Sequence, residues 1–392
     1  MPEHEELKKT ISSVRQIKTM AGLSSEEAKK LEQIVQVHPM RISPYYMSLI
    51  DWSDQADPIR KMAVPSVEEL NLDGQYDTSG EAENTKMPGL QHKYAETALI
   101  LSTNRCAVYC RHCFRKRMVG LPSEEILKRF EDAAEYISKH EEINNVLISG
   151  GDPLVLKNEI IERFLEVLEQ VNHLNFVRFG SRVPVTLPTR LSDPELLTIF
   201  KKYSRKLKRL QVVTHFNHPR EITPQSTNAI SNLIKAGVLI HNQTVLLKGV
   251  NDDPATLAQL MNELVSIGVA PYNVFQCRPV KRVKHHFQVP ICQGVRIVEK
   301  AKANCNGLSK RFKYIMSHLT GKIEVLGIMD REIYFKYHEA KNKENLGTIF
   351  KHQVDEEAGW LDDFKHAKHP QPLDSKTSLI ATGTSELQGT VY

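Results

Sequence analysis

No stretch of this 392-residue chain is apolar for long enough to cross a membrane; a spanning helix needs about 20 consecutive apolar residues. The opening "MPEHEELKKT" lacks the character of a signal peptide. A cytoplasmic protein that engages no membrane is therefore expected. Neither sign of charge dominates, with 52 Lys and Arg against 47 Asp and Glu. A formal net charge of +5 permits an anionic ligand without demanding nucleic acid, and none is expected. The basic run "KKYSRKLKR" (201–209) sits at helical spacing and reads as a solvated face. No internal repeat has its own signature. Cysteine is rare, with six in all, and three of the six fall within eight positions. In a large cytoplasmic chain such a cluster points to a metal or redox chemistry before disulfides. What remains is 41% hydrophobic and 25% charged, the balance of a globular protein with room for one large enzyme domain and an extension.

The first 94 residues read as a helical extension that ends in a strap. Ser24 and Glu27 have capping-box spacing ahead of an amphipathic run. Residues 70–90 are polar and glycine-containing, as a linker or surface strap would be. From residue 95 to about 305 short β-branched runs ("TALILST", "NNVLISGG", "FVRFGSRVPV", "LQVVTHFN", "HNQTVLL", "YNVFQCRPV") alternate with helical patterns. In one of these, Ile126, Leu127, Phe130, Ala133, Ala134 and Ile137 recur at three- and four-residue steps. Six βα units in series predict an α/β protein, a partial (β/α)6 TIM-like barrel with its ligand site at the carboxyl ends of the strands. A small strand-containing region with "KIEVLGI" and "EIYFKYH" follows over 306–365. Residues 366–392, rich in Ser, Thr, Lys and Pro, read as a disordered tail.

The cysteine cluster, Cys106, Cys110 and Cys113, follows the first of these strands in a C-x3-C-x2-C spacing. No second Cys or His pair follows to complete a zinc site, and Cys277, Cys292 and Cys305 are isolated. Three thiolates on one loop suit a [4Fe–4S] cluster with one iron left for a non-protein ligand. The alternatives are three buried cysteines, or a three-cysteine zinc site completed by His112. A second pair, His215-x2-His218, is weak evidence for a metal.

The cysteine spacing resembles the signature of the radical S-adenosylmethionine superfamily, with His112 where that signature has an aromatic residue. "LISGGDPL" (147–154) resembles its second landmark, a glycine turn that receives the methionine amino group. There glycines let the backbone approach a ligand, and an acid pairs with an ammonium. The resemblance implies that S-adenosylmethionine is cleaved to a 5′-deoxyadenosyl radical that abstracts a substrate hydrogen. Further segments ("RISPYYMSLID", "DPIRK", "MPGLQHKY", "GSRVPVTLP", "THFNHPREIT", "NQTVLLKGVND" and "FQC") resemble lysine 2,3-aminomutase and its relatives in the same order, over residues 35–325. That family implies Cys106, Cys110 and Cys113 on the cluster, and Gly150, Gly151, Asp152, Arg182, His215 and Gln243 around S-adenosylmethionine. It also implies Arg115 on the substrate α-carboxylate, Lys93 and Tyr94 at the phosphate of pyridoxal phosphate, and Lys322 as the lysine of that cofactor. An electron donor such as flavodoxin or ferredoxin and a homo-oligomer are implied as well. Lys116 and Arg117, beside Arg115, read as solvated.

The chain also departs from the family. The "PGGGGK" loop that carries the cofactor lysine reads "SHLTGK" here, and "HRYPDR" reads "HKYAET", so that Thr97 replaces an arginine. Of the two aspartates that hold lysine's distal ammonium, one is replaced by Arg278 and the other falls at Met316 or Ser317. A pocket with Arg278 repels that ammonium. Two readings follow. One is an aminomutase-type isomerase for an amino acid other than lysine, with an anionic side chain suiting Arg278. The other is a radical enzyme that has lost pyridoxal phosphate and performs dehydration, epimerisation or dehydrogenation. A non-catalytic cluster protein that binds a partner through its tail is a third and weaker reading.

Overall fold

The computed structural model describes residues 6, 9–206 and 209–364; the tail expected over 366–392 lies outside them. Twelve strands form one sheet in sequence order. They are β1 (Thr85–Met87), β2 (Leu90–Tyr94), β3 (Thr97–Thr103), β4 (Asn145–Gly150), β5 (Phe176–Gly180), β6 (Leu210–Thr214), β7 (Leu239–Leu246), β8 (Ala270–Gln276), β9 (Lys313–His318), β10 (Gly321–Met329), β11 (Glu332–Ala340) and β12 (Ile349–Gln353). From β3 to β9 every neighbouring pair is parallel. Antiparallel strands extend this core on both sides, β2 on β3 and β10 on β9.

The sheet curls until its two flanks meet. In a flat sheet seven inter-strand steps of ~4.8 Å would set β2 and β9 roughly 34 Å apart. Lys93 Nζ on β2 nevertheless donates to His318 O on β9 across 2.7 Å. Amphipathic helices cover the outer face, among them Phe130–Ser138, Asn158–Glu169, Pro224–Lys235 and Pro254–Ser266, each burying its apolar stripe. Among the described residues no helix is long and apolar enough to cross a membrane.

The six β-branched runs fold as β3 to β8. One helix starts later than its pattern predicts, at Phe130 instead of near Ile126. Leu127 N–H donates to Leu101 O at 2.9 Å, so this residue pairs beside β3 and does not enter a helix. Gly89 permits the approach, because a Cβ there would lie 2.1 Å from Leu127 N. The parallel series also runs past 305 into a seventh strand, β9.

The N-terminal extension is part of the main core. Met40, Ile42, Tyr46, Ile59 and Met62 pack in the same apolar cluster as the strands. The capping box at Ser24 and Glu27 forms, with bonds of 3.1 and 2.9 Å. The strap is a surface feature only in part: Leu72, Asp73, Gln75, Glu83 and Lys86 are exposed, whereas Thr78, Ser79, Glu81 and Asn84 are buried. Lys116 is not solvated either, being 4% exposed. It shares Glu69 with Arg111, at 2.6 Å from Lys116 Nζ and 2.6 Å from Arg111 Nη2, and Arg111 Nε adds a third bond at 2.8 Å. Burial works to raise the Glu69 pKa, but the two cations outweigh it and hold the carboxyl at about 2.

Breaking such a buried ion group strands its remaining charges. Glu69→Ala is expected to cost about 3–5 kcal/mol of stability by urea unfolding at neutral pH. Glu69 titrates lower in the fold than its ordinary value of 4.5. Its contribution is therefore whole above that value and is lost as pH falls from there toward about 2. Wild-type stability measured over this range should converge on that of Glu69→Ala.

Candidate active site

The loop after β3 carries Cys106, Cys110 and Cys113, all free and half-buried. Burial raises the Cys106 thiol well above its usual pKa, and the negative charges of Asp152, Cys113 and Cys110 add to it. Burial and Cys110 likewise push Cys113 up to about 11. The two thiols raised in this way, Cys106 and Cys113, resist ionising unless a cationic centre holds them. The donor set, three sulfurs on one loop, fits an iron–sulfur cluster. His112, the candidate fourth ligand, has a buried Nδ1 with no hydrogen-bond partner among the described residues. Its Nε2 lies 3.5 Å from Asn217 Nδ2 and its ring stands edge-on to His215 and Phe287. His218 Nδ1 accepts from Arg220 N–H and caps a short helix. Among the described residues no three His, Cys, Asp or Glu side chains are placed to grip a single metal ion.

The glycines at the end of β4 serve this loop directly. Gly150 has φ +111°, and a Cβ on it would lie 2.5 Å from Thr103 O; on Gly151 it would lie 2.4 Å from Arg105 O. Gly151 and Asp152 N–H donate to those same carbonyls at 2.5 and 2.8 Å. Asp152, expected at an ammonium, faces inward. Its carboxylate accepts from Ser181 Oγ (2.6 Å), Arg182 N–H (2.7 Å) and Leu154 N–H (3.1 Å). Arg182 is thereby aimed at the cluster loop. It donates to Cys110 Sγ at 2.9 Å, to His215 O at 3.1 Å and to Tyr46 Oη at 2.9 Å, and it pairs with buried Glu221. His215 is half-buried and neutral, its pKa pushed to about 3 by desolvation of the ring and by Arg182, and its Nε2 is inaccessible and has no hydrogen-bond partner among the described residues. The structure thus joins Arg182, His215 and Cys110, while Gln243 lies half-buried on β7 beside Asn273 of β8.

A second group of side chains stands over the other flank. Arg115 Nε and Nη2 hold Glu81 Oε1 at 3.1 and 3.0 Å, and Arg115 Nη1 donates to Ser149 Oγ at 3.2 Å. Arg117, expected in solvent, is mostly buried and pairs with Glu81 at 2.8 Å and Glu125 at 2.6 Å. Asp77 accepts the N–H groups of Ser79, Glu81 and Ala82 and so shapes the turn that presents Glu81. Arg278 donates to Ser79 Oγ at 2.8 Å and Ser317 Oγ at 3.0 Å. Its guanidinium lies 4.2 Å from the Phe114 ring centroid, and that of Arg115 lies 4.6 Å from the same ring. Among the described residues Arg278 has no carboxylate at ion-pair distance, and the charge of Glu81 reaches it from farther off.

Beside Arg278, Lys93 and Lys322 flank Tyr94, their amines 5.5 and 5.4 Å from its ring centroid. Lys322 pairs with Glu339 at 2.9 Å, and Lys93 donates to Ser79 O and His318 O at 3.0 and 2.7 Å. Two amines beside one aromatic face make a donor set that fits a phosphorylated aldehyde such as pyridoxal phosphate. Glu69, Glu81, Ser79, Phe114 and Glu339 were missed from the sequence. The signal for the acids was the basic run after the cysteines, whose cations need counter-charges once buried.

Comparison with known proteins places these features. Residues 100–261 match the family described as the radical SAM superfamily. The chain is 41% identical over 383 residues to a putative L-lysine 2,3-aminomutase of Aquifex aeolicus, covering 97% of this chain and 99% of that one. It is 39% identical over 305 residues to the L-lysine 2,3-aminomutase of Clostridium subterminale, covering 77% and 72%. It is 36% identical over 306 residues to the glutamate 2,3-aminomutase of Clostridioides difficile, covering 78% and 71%.

The contact between the β4 end and the cysteine loop can be tested. Gly151→Ala must push the loop away from Arg105 O, and iron and sulfide bound per chain after anaerobic reconstitution should fall by about half or more. Gly307→Ala, where an added Cβ meets nothing within 4 Å, should bind both as the wild type does.

Proposed function

We propose, because the chain belongs to the lysine 2,3-aminomutase family of the radical S-adenosylmethionine superfamily, that it shifts an amino group between C2 and C3 of an amino acid whose side chain ends in an acid. Family membership makes it a radical isomerase. The choice of substrate is carried by one observation. Arg278 presents a guanidinium held by two hydroxyls, with no carboxylate partner among the described residues. At ~5 Å and an effective dielectric of ~20, a lysine ammonium would be repelled there by about 3 kcal/mol, roughly a hundredfold in binding, and a carboxylate attracted by as much. A relative named glutamate 2,3-aminomutase supports an acidic substrate within this family.

Cys106, Cys110 and Cys113 would hold the iron–sulfur cluster, which supplies the electron that cleaves S-adenosylmethionine, drawn from a donor such as flavodoxin or ferredoxin. Arg182 steadies Cys110 and ties it to the end of β6 through His215 O. Pyridoxal phosphate, when bound among Lys93, Tyr94 and Lys322, holds the substrate amine during the shift. Arg115 would take the α-carboxylate, exchanging Glu81 for it, while Arg117 retains Glu81. Arg278 would take the distal acid. The curled sheet and the buried part of the strap keep water from the radical.

The test is an anaerobic product assay on a panel of glutamate, aspartate, alanine and lysine. Acidic substrates are expected to turn over and lysine not to. Arg278→Asp should lower kcat/KM for the acidic substrate by about a hundredfold or more. Wild-type protein that isomerises lysine as fast as the acids would overturn the reading.

A further inference from the structure

The lysines beside Tyr94 have a cationic neighbour on the parallel part of the sheet. Val177 and Phe179 of β5 join the apolar core, Phe179 against Phe200 of the helix Pro194–Lys206. Arg178 between them therefore turns to the opposite face, the one that the curled sheet encloses. Its guanidinium is tied in by one hydrogen bond, from Nη2 to Asn145 Oδ1 at 2.5 Å. That same oxygen accepts from Thr97 Oγ1 at 3.3 Å, and Thr97 stands opposite Tyr94 in the β2–β3 register. Facing residues of an antiparallel pair lie on one side of the sheet. Tyr94, Thr97, Asn145 and Arg178 thus form a continuous line from the two lysines into the barrel.

Arg178 is short of partners. Its Nε is inaccessible and has no hydrogen bond among the described residues. Nη1 has none there either, and no carboxylate of those residues lies at ion-pair distance. The Phe176 ring, 5.5 Å from the guanidinium carbon, supplies only a face. The acid that acts on Arg178 from farther off, Glu339, is already paired with Lys322. Burial lowers the Arg178 pKa, and Tyr272 and Glu339 offset this only in part. A guanidinium taken out of water with most of its five donors idle is costly, and an anion with several acceptor oxygens is its natural complement.

We propose that Arg178 binds the phosphate of the aldehyde cofactor, filling the role of the arginine that Thr97 replaces. This rests on reading the site as that of an aminomutase which uses pyridoxal phosphate, with Lys322 as its lysine. Thr97 and Arg178 meet at one amide oxygen, so the guanidinium reaches from β5 the place that the resemblance gives to a cation on β3. Nη2 keeps Asn145, and Nη1 is left for a phosphate oxygen. Lys93 is the weaker grip. It spends donors on Ser79 O and His318 O, and burial with Arg278 nearby lowers its pKa to about 7.

Two titrations on the full chain, holding its cluster and stripped of pyridoxal phosphate, decide this. In the first, pyridoxal phosphate and pyridoxal are each added and the imine absorbance is followed. Arg178→Gln should weaken pyridoxal phosphate by about tenfold or more and leave pyridoxal within about twofold. Arg178→Lys, which keeps the charge, should lose less. Equal loss for both aldehydes marks a structural role and overturns the proposal, as does no loss for either. Should Arg178→Gln fail to bind iron and sulfide as the wild type does, Arg178→Lys is judged in its place, with a loss of about threefold or more confined to pyridoxal phosphate. In the second titration inorganic phosphate alone is added at constant ionic strength and thermal unfolding is measured. Phosphate should raise the Tm of the wild type and not that of Arg178→Gln; equal stabilisation overturns the proposal. If no imine forms with either aldehyde while phosphate still stabilises through Arg178, the anion site stands and the cofactor reading fails. Neither imine nor stabilisation in the wild type overturns the proposal. The choice between acidic substrates and lysine is judged by the product assay above and can fail independently.

Discussion

Two buried glutamates make this architecture possible. The segment that supplies the three thiols also supplies Arg111, Arg115, Lys116 and Arg117, of which the first three are buried and Arg117 is mostly so. Cations taken out of water without partners cost several kcal/mol each. Glu69 answers Arg111 and Lys116, and Glu81 answers Arg115 and Arg117. Both acids come from the N-terminal extension, so the extension is what allows the cysteine loop to be buried at all. A radical enzyme benefits from the arrangement. The loop is shielded from solvent by ion pairs whose geometry is fixed, and apolar packing alone would not orient the arginines.

The same logic runs along the strand ends. Asp152, at the end of β4, takes the N–H of Arg182 and so sets where that guanidinium begins. Arg182 in turn joins Cys110, His215 O, Tyr46 and Glu221. Tyr46 lies in the extension and also donates to Glu221 at 2.6 Å. One guanidinium therefore connects the cysteine loop, the β6 end and the N-terminal helix Pro44–Ser48. A displacement of any of these moves the others, because each of its hydrogen bonds is directional and buried.

Strands β3 to β8 were legible because each is a β-branched run between helical patterns, the signal that periodicity reads best. Strand β9 was not. "KYIMSH" has a single β-branched residue and follows the basic "KRF", and its strand conformation comes from pairing with β8 and β10. The cysteine spacing and the β4 glycines were legible as a pair. Their physical relation was not, because Gly150 and Gly151 owe their lack of a side chain to the carbonyls of Thr103 and Arg105. The buried part of the strap was missed for a related reason. A polar, glycine-containing segment looks solvent-borne until the cations that consume its polar groups are placed against it. Ser79 and Glu81 are buried because Arg278, Lys93, Arg115 and Arg117 meet them there.

The β9–β10 hairpin shows how sheet register sets the partner of a charged side chain. Gly321 sits opposite Ala340, and a Cβ on it would fall 2.2 Å from Glu339 O, so this glycine is needed for strand pairing. That pairing sets Lys322 across from Glu339, where opposite charges on facing antiparallel positions attract. The turn also leaves His318 O at the end of β9, pointing at Lys93 on the far flank of the sheet. A glycine-rich loop would impose neither constraint. By replacing it with a tight hairpin, the chain gives one lysine a carboxylate and the other only carbonyls. The difference in partners between two amines that share one tyrosine ring follows from that pairing.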